Sequence, residues 1–102
     1  MTALLQANRS EVARLCEKHG VARLELFGSA AREEFVAGKS DLDFLVRFQP
    51  CTPEEHAERY FRFLADLQDL FGRDIDLVEF GAVRNPYFIK FIEVSRTLVY
   101  AA

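Results

Sequence analysis

The chain reads as an alternation of helix-period and strand-period stretches. In residues 2–18, Leu5, Val12, Leu15 and Cys16 recur at helical spacing while Arg9, Glu11, Arg14 and Glu17 turn away, which predicts an amphipathic helix stopped by Gly20. Val21 to Phe27 reads as a first strand; Leu24 and Leu26 face one way, and Arg23 and Glu25 suggest a partly exposed edge. Residues 29–35 predict a short helix and 36–40 a loop turned by Gly38. Leu42 to Phe48 is the second strand, with Leu42, Phe44, Val46 and Phe48 forming the strongest core pattern in the chain. Thr52 then caps a long helix: Pro53 suits its first position and Glu55 can close a capping box. Its apolar stripe runs through Tyr60, Phe63, Leu64, Leu67, Leu70 and Phe71, and Gly72 ends it. Residues 73–80 predict a third strand, Asn85-Pro86 opens a last helix through Ser95, and residues 97–100 can close with a short strand. No linker or repeat divides this order, so residues 1–102 read as one α+β domain of αβαβαβ type, a small mixed sheet with helices packed on it.

Polar residues interrupt this pattern where the first two strands face each other in sequence. Asp41 and Asp43 stand at the mouth of a strongly apolar strand, on one face and about 7 Å apart. Strands avoid aspartate. Two such charges at roughly 4 Å would repel by about 4 kcal/mol at an effective dielectric near 20. A divalent cation turns that repulsion into attraction, because hard ions take carboxylate oxygens. Upstream, Gly28 permits backbone angles closed to other residues and lets a ligand approach the main chain. Ser29 falls at a helix N-cap, where free N–H groups and a hydroxyl suit phosphate oxygens. Arg32 suits phosphate too, or a surface salt bridge with Glu33 or Glu34. Asp74 and Asp76 form a second same-face pair in the third strand. Phosphate on one side and metal-binding carboxylates on the other point to nucleotide chemistry.

Composition narrows the options. One hundred and two residues, half of them hydrophobic, make a folded domain with a modest core. A net charge of −3 argues against an extensive grip on nucleic acid. Cys16 and Cys51 lie far apart without metal-ligand spacing, no signal peptide is evident, and no apolar run approaches the ~20 residues of a membrane span. Those features fit reduced thiols and a cytoplasmic chain. His19 and His56 lack partners at ligand spacing and read as surface or capping residues. Phe61, Phe63, Phe71, Phe88 and Phe91 read as core first. Phe61 and Phe63 cannot both face inward from one stripe, and that apolar spill leaves room for a homo- or hetero-oligomer.

Gly28-Ser29, a spacer, and Asp41-Leu42-Asp43 together resemble the signature of the polymerase-beta-type nucleotidyltransferase superfamily. The small size and the wording LFGSAAR are similar to its minimal nucleotidyltransferase (MNT) branch, whose members often act as antitoxins paired with HEPN-domain toxins. The likeness runs from the first helix to the closing NPYFIKFIEVSRTLVY. The sequence departs from common family wording at Ala30 and Glu33, and its spacer between Ser29 and Asp41 holds eleven residues, one more than usual.

The resemblance implies a nucleotidyltransferase fold and a metal-dependent transfer of AMP from ATP to a hydroxyl, in the antitoxin case a tyrosine of a HEPN-family toxin. It implies Asp41 and Asp43 as ligands of two Mg²⁺ ions, with Mn²⁺ as a substitute. It selects Asp76 over Asp74 as the third catalytic acid, because Asp76 starts the apolar part of GRDIDLV. Gly28, Ser29 and Arg32 are implied as nucleotide-binding. Two other readings share the sequence: a binding module that silences its partner by covering it, and transfer to a small molecule or RNA end.

Overall fold

The computed structural model describes residues 3–28, 42–82 and 84–102. The elements are α1 (Ala3–Ala7), α2 (Arg9–Lys18), β1 (Val21–Phe27), β2 (Leu42–Phe48), α3 (Pro53–Phe71), β3 (Ile75–Glu79), α4 (Pro86–Ser95) and β4 (Thr97–Ala101). A 3₁₀ turn, Phe80–Ala82, follows β3. The helix expected over residues 29–35 and the loop after it lie outside the described residues.

Both early strands have the bounds their apolar runs predict. The first helix does not: it divides at Asn8, whose Nδ2 donates to the Leu4 carbonyl at 2.8 Å. A short amide side chain that bonds nearby backbone competes with the helical ladder, and hydropathy patterning does not register it. Helix α3 follows its local signals. The Thr52 hydroxyl accepts from the Glu55 N–H at 3.2 Å, Pro53 occupies the first turn, and Gly72 closes the helix at φ 64°. Asn85 caps α4 in the same way, its side chain accepting from the N–H groups of Tyr87 and Phe88.

The four strands form one mixed sheet in the order β3-β2-β1-β4. Strand β1 pairs antiparallel with β2 and β4, and β2 pairs parallel with β3. One face packs against α2 and α3. There Leu42, Phe44, Val46 and Phe48 meet Val12, Leu15, Phe63, Leu67 and Phe71 in the main core. Burying a side chain such as Phe63 completely stabilises by roughly 1.5–3 kcal/mol. The other face is thinner: Phe27 and Leu45 pack with Ile92 of α4, flanked by Val78, Phe80 and Phe88. Phe61, by contrast, is exposed, as the geometry of a single stripe requires, and Phe91 is exposed too, where composition suggested core.

Strand β1 is not an edge. It lies between β2 and β4, and Glu25 is buried. The charge is tolerated because Arg23 Nε donates to Oε1 at 2.9 Å, while Arg96 places Nη2 3.1 Å from Oε1 and Nε 2.8 Å from Oε2. Paired guanidinium groups are the condition under which a carboxylate survives burial. At the opposite edge, the Tyr60 hydroxyl donates to the Leu77 carbonyl of β3 at 2.6 Å and occupies an edge acceptor.

His19 caps the end of α2, as its sequence position suggests, but it is buried rather than on the surface. It lies 2.7 Å from Asp66 Oδ2 of α3, and Lys18 Nζ lies 3.2 Å from the same oxygen. The hydrogen bond with His19 is the main cause that holds the Asp66 pKa below its ordinary value; burial opposes it, and Lys18 adds to the lowering. A depressed carboxylate pKa stabilises above the unfolded-state value, near 3.9, and the contribution disappears as pH falls through the folded-state value. Asp66→Asn is therefore expected to lower stability at pH 7 by about 0.5–1 kcal/mol, a partly exposed pair being weakened by solvent. Urea midpoints of variant and parent should converge below pH ~4, which denaturation at pH 7 and pH 3 would check.

Cys16 is buried and its thiol is pushed up to about 12, mainly by burial, so it is an inert core residue. No described helix is long and apolar enough to cross a membrane.

Candidate active site

The end of β1 and the starts of β2 and β3 meet at one end of the sheet. Phe27 pairs with Asp43 across the antiparallel ladder, and Asp43 pairs with Asp76 across the parallel one. Residues in register on neighbouring strands project to the same face, with backbones about 4.8 Å apart. Asp43 and Asp76 thus stand side by side on the face that also carries Leu45 and Val78. Asp43 is half-buried and Asp76 exposed. Asp74 precedes β3 and is exposed; β3 starts at Ile75 because that residue meets Leu42, the start of β2. The register therefore selects Asp76, not Asp74, as the neighbour of Asp43.

Gly28 closes the group. Its φ is +75°, a conformation that other residues adopt at a cost. A β-carbon there would lie 2.3 Å from Asp43 Oδ2. The missing side chain is what gives the Asp43 carboxylate its space. The Gly28 N–H is buried and donates to Ser95 Oγ at 3.1 Å. Its donor is already engaged, so Gly28 contributes clearance. Ser95 carries no signal in the sequence: it is one serine at the end of an amphipathic helix, joined to Gly28 only by tertiary structure.

Of the six residues singled out from the sequence, the described structure brings together Gly28, Asp43 and Asp76. Ser29, Arg32 and Asp41 lie outside the described residues. Among the described residues no cluster of three metal-binding side chains occurs. The two acids that are described nonetheless suit a hard divalent cation: both are oxygen donors, they share a face, and one is open to solvent. Tyr60, whose hydroxyl is tied to Leu77 beside Asp76, has its pKa raised by burial first and then by Glu79 and Asp76.

Among the described residues, a cavity of about 520 Å³ is bounded by Arg47, His56, Glu79 and Phe80 at the far ends of β2 and β3. Four residues of strand, roughly 13 Å, separate Arg47 from Asp43. In that cavity His56 pairs with Glu79 and Arg47 lies over the Phe80 ring, and no described residue of the acid site lines it.

A glycine turn and two acids in register stand at one end of a small mixed sheet, and comparison with known proteins gives the family. Residues 11–99 match the nucleotidyltransferase domain family, and the chain belongs to it. Within that family it is a minimal nucleotidyltransferase. A solved structure described as a putative minimal nucleotidyltransferase shares 33% identity and superposes with a TM-score of 0.69, covering 91% of this chain and 90% of that one. A Methanocaldococcus jannaschii protein named putative protein adenylyltransferase MJ0128 is 44% identical over 79 residues, 78% of this chain and 76% of its own length. A second from the same organism, putative protein adenylyltransferase MJ1217, is 37% identical over 82 residues, 78% of this chain and 76% of its own length. The same fold occurs in a toxin–antitoxin complex with AMP-PNP, at 15% identity and a TM-score of 0.71, covering 93% and 74% of the two chains. It occurs again in a tri-AMPylated Shewanella oneidensis HEPN toxin in complex with an MNT antitoxin, at 16% identity and 0.59, covering 95% and 72%.

Proposed function

We propose that this nucleotidyltransferase is Mg²⁺-dependent, with Mn²⁺ as a substitute, and that it moves AMP from ATP onto a tyrosine hydroxyl of a HEPN-family partner, as the antitoxin of a toxin–antitoxin pair in the cytoplasm. The observation that carries the reading is the register of Asp43 with Asp76 beside the Gly28 turn. The partner class is supported by the names of the relatives and by the antitoxin complexes that share the fold.

Asp41 and Asp43 together would hold two Mg²⁺ ions, and Asp76 would hold the one on the acceptor side. When bound, such ions neutralise the charge that develops on the α-phosphate and lower the pKa of the attacking hydroxyl. The chain's own residues divide the remaining work. Asp43 is half-buried against Gly28. Asp76 is exposed on an edge strand, and a protein-borne tyrosine would approach it there. Ser29 and the N–H groups after Gly28 would hold the β- and γ-phosphates, with Arg32 orienting them through a bidentate contact.

A thermal-shift titration tests nucleotide binding. Mg²⁺ with AMP-PNP at about 100 times the Kd is expected to stabilise by ~2.7 kcal/mol, or roughly 10–20 °C for a domain of this size. A shift no greater than that with Mg²⁺ alone would remove the nucleotide from the account.

A further inference from the structure

We propose that the cavity between Arg47, His56, Glu79 and Phe80 is a second binding site, for a small molecule that joins a flat ring to an anionic group. Roughly 13 Å of strand separates Arg47 from Asp43, so the site is independent of the nucleotide reading.

Unequal strands create the cavity. The β2–β3 ladder ends at Val46 and Glu79, while β2 continues to Phe48. After Glu79 the chain enters the 3₁₀ turn, and about 520 Å³ opens beside the last residues of β2. Small-molecule sites are of this size, walled by apolar and aromatic groups with a few placed polar ones. Strand residues turn their N–H groups to alternate edges. Gln49 donates to the Gly20 carbonyl on the β1 side at 2.8 Å, so the Phe48 N–H is turned to the side where β3 has ended.

Arg47 supplies the charge. Arg23, Arg59, Arg62 and Arg96 each face a carboxylate. Arg47 makes no ion pair or hydrogen bond with a described residue; its contact is the Phe80 ring, 4.9 Å from Cζ to the centroid. The planar fork of N–H donors on a guanidinium suits a carboxylate or a phosphate, and here the fork is left for a ligand. The carboxylate that lines the cavity, Glu79, is already engaged by His56.

Aromatic groups supply the rest. Phe80 packs against Leu45 and Ile92, and Arg96 lies 5.8 Å from its centroid, so the ring is held. Alternation puts Arg47 on the α4 face of the sheet and Phe48 and Glu79 on the α3 face. There the His56 ring meets Phe48 edge-on, 5.4 Å between centroids. Rings therefore border the space from both faces, which suits a flat ligand ring. An aliphatic anion would use Arg47 alone, and a neutral ring would leave its donors unmet.

Nuclear magnetic resonance titration of the isotope-labelled chain tests the site, with EDTA present to keep metal from the acids. Phenyl phosphate and benzoate are expected to shift the amides of Arg47, Phe48, His56 and Gly81 saturably. Each should bind about tenfold more tightly than its ringless counterpart, inorganic phosphate or acetate, and than uncharged phenol. The tighter of the two probes assigns the anion as phosphate or carboxylate. Arg47→Gln, at an exposed position, should weaken both by about tenfold. Phe80→Leu should bring them toward the affinity of the ringless anions. Absence of saturation, equal affinity for ringed and ringless anions, or unchanged affinity in Arg47→Gln overturns the site. Shifts centred on Asp43 and Asp76 overturn it as well, since the anion would then belong to the acid end of the sheet.

Discussion

Gly28→Ala is expected to damage both stability and nucleotide binding, and to do so through Asp43. Two costs arise at this position. The first is conformational: at φ +75° an alanine β-carbon crowds its own backbone, which costs about 1–2 kcal/mol. The second is a clash, because that β-carbon would stand 2.3 Å from Asp43 Oδ2. The carboxylate is the mobile end of a side chain, so it can rotate away, and the fold should survive. For a domain of this size the conformational term alone lowers the melting temperature by roughly 4–16 °C. The displaced carboxylate is the more consequential loss, since Asp43 then no longer faces the same point as Asp76.

A double-mutant cycle separates the two costs. Asp43→Ala removes the oxygen that collides, so Gly28→Ala should be milder in its presence than alone. Additive losses would mean that the contact carries no energy, and that glycine is needed there only for its backbone.

These particulars show how far the sequence carries. Strands β1 and β2 were legible because each is a short apolar run bounded by turn chemistry, and the alternation in Leu42, Phe44, Val46 and Phe48 names the main core face. The ends of α3 and the start of α4 were legible for a similar reason, Thr52-Pro53, Gly72 and Asn85-Pro86 acting within one turn of where they stand. Features set by distant partners were not. Glu25 reads as an edge residue until β4 pairs beside it and Arg96 arrives from α4. His19 reads as surface until Asp66 of α3 is opposite. Phe91 reads as core because composition does not say that α4 covers only part of its sheet face. In the site, resemblance preferred Asp76 to Asp74, and the structure adds that Asp76 stands in register with Asp43. Ser95 had no local signature at all, and its contact with Gly28 exists only once α4 has packed on the sheet.

The central claim is catalysis: acids held in register perform turnover rather than merely decorate a binding surface. Asp43→Asn bears on it most sharply. The substitution keeps size and removes one charge from an acid pair, so repulsion falls and the metal-free fold should be as stable as the parent or slightly steadier. Transfer should fall to background, because an amide is a poor ligand for a hard divalent ion. An unfolded Asp43→Asn variant would instead mark the residue as structural, which its far-UV circular dichroism would reveal.

The decisive measurement uses intact-protein mass spectrometry on a large excess of the proposed HEPN-family partner, incubated with ATP, Mg²⁺ and a small amount of this chain. Turnover predicts that most of the partner gains discrete adenylyl increments, that inactivation persists after the chain is removed, and that Asp43→Asn abolishes both. Protection that is one for one, independent of ATP, reversible on separation and unaffected by Asp43→Asn would contradict the account and leave a protein that works by covering its partner.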